Sequence, residues 1–254
     1  MVRLKTPEQI EILHEGGRRL ATILLALKEA VRPGIATKEL DVLAEKLILE
    51  GGDEPSFKGY KPKGASRPFP AALCTAVNDE VVHGIPSLRV LKEGDIIGLD
   101  LGLTHKGLIT DAAITVQVGK VARESQELIT TTEEALAVGI RTALVGANVG
   151  DIGAAIEEYV RPFGYGIVRE LSGHGVGFVV HEEPHIPNFG KRGAGARLTA
   201  GMVLALEPMI TLGKHAVYGA KDGYTVITRD GSRSAHFKHS IAISKYGPLV
   251  LTCL

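Results

Sequence analysis

The sequence predicts an α+β fold of two pseudo-symmetric halves, residues 1–120 and 121–254 in round terms, whose central antiparallel sheets meet around a pseudo-twofold axis with helices packed outside. Three observations predict it. Each half opens with a long helical pattern and a shorter one, followed by apolar strand-like runs. "LKEGDIIGLDLGL" from Leu91 matches "LTAGMVLALEPMI" from Leu198 in glycine position, apolar run and terminal acid. Two further pairs keep the same chain order: "VVHGIP" from Val81 with "VVHEEP" from Val179, and "TDAAITV" from Thr110 with "FKHSIAI" from Phe237. Chance explains any one such match better than it explains three in register.

The first helix opens on a capping box of Thr6 and Gln9 with Pro7 in its first turn, and carries Ile10, Leu13, Leu20, Leu24 and Leu27 at helical spacing. Pro33 and Gly34 stop it. The second starts near Thr37, places Leu40, Leu43, Leu47 and Ile48 on one side, and ends at Gly51 and Gly52. "LGLTHKGLIT" reads as a β-hairpin turning at Thr104 to Gly107, symmetric about His105 and Lys106. "SQELITTTEEALAVGIRTAL" reads as the long helix of the second half, and "VGDIGAAIEEYVRPFG" as its shorter one. Gly146, Ile152, Ile156, Tyr159 and Val160 there echo Gly34, Leu40, Ala44, Leu47 and Ile48.

Composition narrows the function. The chain of 254 residues has 29 basic and 29 acidic side chains and no block of like charge, so it carries no electrostatic footprint for nucleic acid. Its start, "MVRLKTPEQIEILHEGG", has no apolar run resembling a signal peptide or membrane span, and a soluble cytoplasmic protein is expected. Cys74 and Cys253 are the two cysteines, too few for a disulfide framework or zinc ribbon, so any metal must be held by oxygen and nitrogen.

Under the symmetric turn Asp100 opposes Asp111 on one face, with Cβ atoms about 4.5–5.5 Å apart. Ile97, Leu99, Ala112 and Ile114 around them indicate burial, where two uncompensated carboxylates repel at high cost. A divalent metal between them resolves it. Singly, a buried Asp is as well explained by a turn, and a strand Glu by a salt bridge. Four candidates converge, however: Glu207 interrupts "VLALEPM", and His174 sits in "SGHGVG", where glycines let backbone approach a ligand. Asp100, Asp111, His174 and Glu207 suit manganese, iron, cobalt or zinc. Two such ions sharing carboxylates activate water, which is hydrolase chemistry. His83 and His181, from the repeated motif, are each explicable as structural; their repetition beside the acid-bearing strands favours hydrogen bonding to a scissile amide and its developing oxyanion.

"NDEVVHGIP", "GLDLG", "TDAAITV", "GHGVGFVVHEEPHIPNFG", "LALEPMI" and "SAHFKHS" together resemble the methionine aminopeptidases of the single-domain bacterial type, with the pita-bread (creatinase/aminopeptidase) fold. The resemblance implies a single catalytic domain spanning residues 1–254, in which Asp100, Asp111, His174 and Glu207 bind metal and His83 and His181 are catalytic and contact substrate. Phe69 and Cys74, in "RPFPAALCTAVN", match the family's aromatic-Pro and Cys positions and would line the pocket for methionine, with Tyr60 beside them. Prolidases usually carry a preceding domain, whereas the first helix here begins almost at residue 1. The eukaryote-like second type carries a helical insertion, for which the stretch between His181 and Glu207 is too short.

One residue departs from the pattern. The internal repeat and the family motif, which resembles "SAHFEHT", both place a bridging glutamate where this chain has Lys238. That changes the local charge by two units, each worth about 4 kcal/mol at 4 Å in an effective dielectric near 20, so metal affinity should fall. A neutral Lys238 amine coordinating a metal, an ammonium standing in one metal's place and paired with Asp111 and Glu207, and a single-base Glu to Lys change in an ordinary enzyme all remain open.

The reading is therefore a metal-dependent aminopeptidase that removes the initiator methionine from nascent proteins by attack of metal-activated water on the first peptide bond. The alternative is a weakened or inactive pita-bread binding protein, because Lys238 replaces the bridging ligand. Expected cofactors are divalent Co, Mn, Fe or Zn, two per chain in the family, with Lys238 admitting one here. Expected partners are the N-terminal Met of nascent polypeptides and the ribosome, with no membrane, no specific nucleic acid and a monomeric state.

Overall fold

A computed structural model of the chain describes residues 2–253. Its helices are α1 (Pro7–Ala30), α2 (Thr37–Glu50), α3 (Arg123–Thr142) and α4 (Val149–Val160). The strands of the first half are β1 (Glu54–Pro55), β2 (Leu73–Val77), β3 (Glu80–Val82), β4 (Ile96–His105) and β5 (Leu108–Gln117). After α4 come β6 (Gly166–Ile167), β7 (Gly173–Gly175), β8 (Glu182–Ile186), β9 (Val203–Leu206) and β10 (Met209–Thr211). The last are β11 (Val217–Gly219), β12 (Val226–Thr228), β13 (Ser234–His236), β14 (His239–Ser244) and β15 (Gly247–Val250).

The capping box at α1 forms as expected: Gln9 N donates to Thr6 Oγ1 at 3.3 Å, and Thr6 N donates to Gln9 Oε1 at 3.0 Å. The expected second helix coincides with α2, and α3 runs two residues ahead of the segment read as helical at both ends. α4 stops at Val160 and the chain tightens into a 3-10 turn over Arg161–Phe163, because Pro162 offers no N–H to continue the helix.

Two sheets carry the architecture. In one, β4 lies between β5 on one side and β1 and β2 on the other; in the second the order is β15-β14-β9-β7-β8. α1 lies against β4 and β5, and Leu20, Leu24, Leu27, Leu40, Ile48, Leu99 and Leu101 form one buried cluster. α3 and α4 cover the second sheet, where Leu128, Leu136, Ile152, Ile156, Leu204 and Ile241 form another. Ile114 packs against both. Each fully buried leucine contributes roughly 1.5–3 kcal/mol.

The two sheets are stitched along β5. Ala113 and Lys238 exchange backbone hydrogen bonds, Lys238 N to Ala113 O at 2.9 Å and Ala113 N to Lys238 O at 3.1 Å. On one side the Ser240 hydroxyl accepts from Asp111 N at 3.0 Å and donates to Asp111 O at 2.8 Å. On the other the Thr115 hydroxyl accepts from His236 N at 2.9 Å and donates to His236 O at 2.8 Å.

The β4–β5 register corrects one expectation. His105 pairs with Leu108 and Gly102 with Asp111, so the turn is centred on Lys106 and Gly107. Both have positive φ, 48° and 78°, as a two-residue turn that matches strand twist requires. Asp100 therefore opposes Ala113, and Asp111 is its diagonal neighbour on the same face. That diagonal spans about 7–8 Å between backbones, room for a cation between the carboxylates.

Candidate active site

Each acid of the cluster comes from a different local device. Asp100 lies mid-strand on β4, registered with Cys74 of β2 and Ala113 of β5. Asp111 is held on β5 by Ser240. Glu207 falls in the break between β9 and β10 ahead of Pro208, with Asn188 Nδ2 donating to its carbonyl at 3.0 Å. His174 is the centre of β7. A Cβ on Gly173 would stand 2.5 Å from Ala205 O, and one on Gly175 would stand 2.2 Å from Glu183 O. The glycines therefore serve backbone packing of β7 between β8 and β9, and the imidazole is aimed by that packing. This replaces the expectation that they admit a ligand.

At the centre lies Lys238, in the link between β13 and β14 and 4% exposed. Its Nζ donates to Asp100 Oδ1 and Oδ2 at 3.1 Å each, and to Asp111 Oδ1 at 3.2 Å and Oδ2 at 3.1 Å; Glu207 Oε2 is 3.4 Å away. Burial alone would lower the lysine's pKa, but the three carboxylates outweigh it and hold the ammonium well above its ordinary value. Asp100 is pushed up to about 6 by burial, with Lys238 opposing. For Asp111 and Glu207 burial pushes up and Lys238 with the neighbouring histidines wins, holding Glu207 at about 2 and Asp111 well below its ordinary value.

His174 faces the outer edge of this cluster. Its Nδ1 donates to Gly175 O at 2.9 Å, which turns Nε2 inward, 3.5 Å from both Asp111 Oδ2 and Glu207 Oε1. At that distance Nε2 has no hydrogen-bond partner among the described residues although it is buried. Burial opposes its protonation and the two carboxylates outweigh burial, so its pKa is raised. A buried nitrogen between two carboxylates calls for a cation. Asp111, His174 and Glu207 have the donor chemistry for one divalent ion, with the remote imidazole N–H anchored to a carbonyl as metal-binding histidines require. As they stand, no three His, Cys, Asp or Glu side chains among the described residues close on an ion, because the Lys238 ammonium holds the carboxylates; an ion would have to draw the three inward.

Lys238 separates two cavities. The inner, about 80 Å³, is lined by Phe57, Tyr60, Phe69, Cys74, Val180 and Tyr224 with Asp100 and Asp111 at its floor. The outer, about 420 Å³, is bounded by Ser172, His174, His185, Glu207 and Met209. His83 and His181 face both. Burial, with Lys238 adding, pushes the His83 imidazole down to about 4. His181, exposed on its outer side, is pushed in the same direction by burial of its inner side and by His174. Its Nδ1 is 2.8 Å from Tyr60 OH, and its ring meets His174 edge-on at 4.5 Å. A larger concavity of about 960 Å³ between α1, α3 and β5 gathers none of these acids.

All the sequence-selected residues thus surround Lys238 or its two cavities. Sequence reasoning missed His236, whose Nε2 is 3.3 Å from Glu207 Oε2, and the pocket walls Phe57 and Tyr224. His236 was findable, since it lies two residues before Lys238 in an alternating run and shares its face.

The family described as Metallopeptidase family M24 matches residues 11–245. The chain is 44% identical to the methionine aminopeptidase of Clostridium perfringens over 254 residues, covering 100% of both, and 44% identical to methionine aminopeptidase 1 of Bacillus subtilis, covering 99% of both. Among solved structures it matches the methionine aminopeptidase of Thermotoga maritima with a TM-score of 0.96 at 39% identity, covering 100% of each chain.

Proposed function

This chain belongs to metallopeptidase family M24, and from that premise we propose that it removes N-terminal methionine from nascent polypeptides as a metal-dependent aminopeptidase with the pita-bread fold. The observation that carries the reading is the convergence of Asp100, Asp111, His174 and Glu207 around Lys238, where a small apolar pocket meets a wider cavity, in a chain that aligns end to end with methionine aminopeptidases. Phe69, Cys74, Tyr60 and Tyr224 wall a recess suited to an unbranched apolar side chain, the methionine, and leave the peptide to run out through the wider outer cavity.

The scissile amide then lies between His83 and His181. Both imidazoles are held neutral near pH 7, so each offers an N–H to an oxyanion without introducing a charge that would repel the cation below. With the Tyr60 phenol donating to His181 Nδ1, the donor is Nε2. Asp111 and Glu207, kept ionised by Lys238, stay available as ligands at neutral pH. Asp111, His174 and Glu207 would hold a divalent Mn, Fe, Co or Zn ion, which would supply Lewis-acid polarisation of the carbonyl and acidify a water. The whole chain acts as one catalytic domain and as a monomer. No helix among the described residues is long and apolar enough to cross a membrane; nascent chains at the ribosome in the cytoplasm are the substrates.

The test is amino-acid release from Met-Gly-Met-Met, Met-Leu-Met-Met and an N-acetylated Met-Gly peptide in manganese buffer. Free methionine should leave the first at least about tenfold faster than the second, a discrimination of roughly 1.4 kcal/mol, and should not leave the third. Equal rates for the first two, or internal cleavage of the blocked peptide, would sink the reading.

A further inference from the structure

We propose that the Lys238 ammonium is a built-in cation standing where a second metal ion would lie, so that the centre takes one divalent ion, between Asp111, His174 and Glu207. The identity of these residues as a metal centre rests on the function proposed above; the count does not. Charge gives it first. Asp100, Asp111 and Glu207 carry three negative charges and Lys238 one positive, a remainder that one divalent ion neutralises; with an acid at position 238 the four negatives would match two.

Geometry gives it again. Lys238 is chelated on both oxygens of Asp100 and both of Asp111, while Glu207 reaches it through Oε2 alone and leaves Oε1 facing His174. Asp111 Oδ2 and Glu207 Oε1 each stand 3.5 Å from His174 Nε2. Ligand atoms roughly 2.1 Å from a tetrahedral ion are about 3.4 Å apart, so each carboxylate stands near ligand spacing from the imidazole, and one shared ion would draw the three inward. The lysine has no room to withdraw: its backbone is paired with Ala113 on both sides and its side chain is buried.

The resident ammonium has a consequence that needs no catalysis to observe. Metal-free wild type keeps one of its three acids compensated by the ammonium, so chelation should lower its melting temperature less than it does without the lysine. Lys238→Glu, with four clustered acids, should melt at least about 5 °C lower without metal and recover on adding it. The experiment strips each protein with chelator, titrates Mn²⁺ or Co²⁺ by calorimetry, counts bound ions by elemental analysis, and records melting curves in parallel. One ion per wild-type chain, two per Lys238→Glu chain, and a larger metal-dependent rise in melting temperature in the variant than in wild type are expected. If Lys238→Glu does not fold, Lys238→Met replaces it: it should still bind one ion, at least about tenfold tighter than wild type, because a repelling neighbour is gone. Two ions in wild type, none up to about 1 mM, or a first-ion affinity unchanged in Lys238→Met would overturn the proposal. One ion bound without methionine release leaves this inference standing and removes the aminopeptidase reading, whereas two ions bound with release does the reverse.

Discussion

A lysine buried among three carboxylates is tolerable because those acids outweigh the cost of burying its charge, and its ammonium adds to the burial that keeps the histidines above it neutral. His83 is held at about 4 by burial, with Lys238 adding. Its folded pKa lies below the ordinary 6.5, so the unfolded chain binds more protons between these values; the stability it contributes is complete above pH 6.5 and is lost as pH falls toward 4. In metal-free protein, urea unfolding at pH 7 and pH 5 should therefore show a drop that His83→Gln reduces by about 1–3 kcal/mol; parallel pH curves for the two proteins would contradict it. Tyr60→Phe removes the partner of His181 Nδ1. A hydrogen bond worth about 1 kcal/mol net predicts a roughly fivefold fall in kcat with KM little changed, whereas a change confined to KM would mean that Tyr60 only lines the pocket. At this scale the acids and His174 were legible because charged or imidazole side chains inside apolar strands demand a partner. Lys238's contact with Asp100 was not, since the repeat paired positions without showing which side chains share a face.

The hairpin of β4 and β5 shows where element-level reading succeeds and slips. Apolar runs identified both strands, yet the turn was centred one residue early, which put Asp100 directly opposite Asp111. Gly107 carried the missing signal: a two-residue turn of this hand needs positive φ at both central positions, and glycine adopts it without strain. A Cβ on Gly107 meets nothing within 4 Å, so Gly107→Ala should cost backbone strain alone, about 1 kcal/mol, or a fall of roughly 2–4 °C in Tm. An unchanged Tm would mean that the turn relaxes into another type. The three-residue strands β11 and β12 were beyond sequence reading for a different reason: they are too short to establish a period and take their place from neighbouring strands.

Over the whole molecule, two apolar clusters, each covered by its own helix pair, meet along β5, and the acid cluster lies on that seam. The repeat made this pseudo-symmetric fold legible, because each half must bury one sheet face against its own helices and present the other to its partner. What the sequence could not show is the fastening of the seam by the hydroxyls of Thr115 and Ser240, which are ordinary strand residues until the sheets are brought together. Ser240→Ala would strand the buried Asp111 N–H and should cost about 1–3 kcal/mol in denaturant unfolding, with loss of metal affinity because Asp111 is no longer held; a neutral substitution would mean that water takes the hydroxyl's place. On this seam a metal-dependent exopeptidase would work around a resident ammonium. Hydrolysis of Met-Gly-Met-Met by chelator-stripped protein, followed while Mn²⁺ is added in fractions of an equivalent, tests it most directly. Methionine release that is absent without metal and reaches its plateau at one equivalent is the predicted result; release that is undiminished by chelator, or that never appears at any metal concentration, would contradict it.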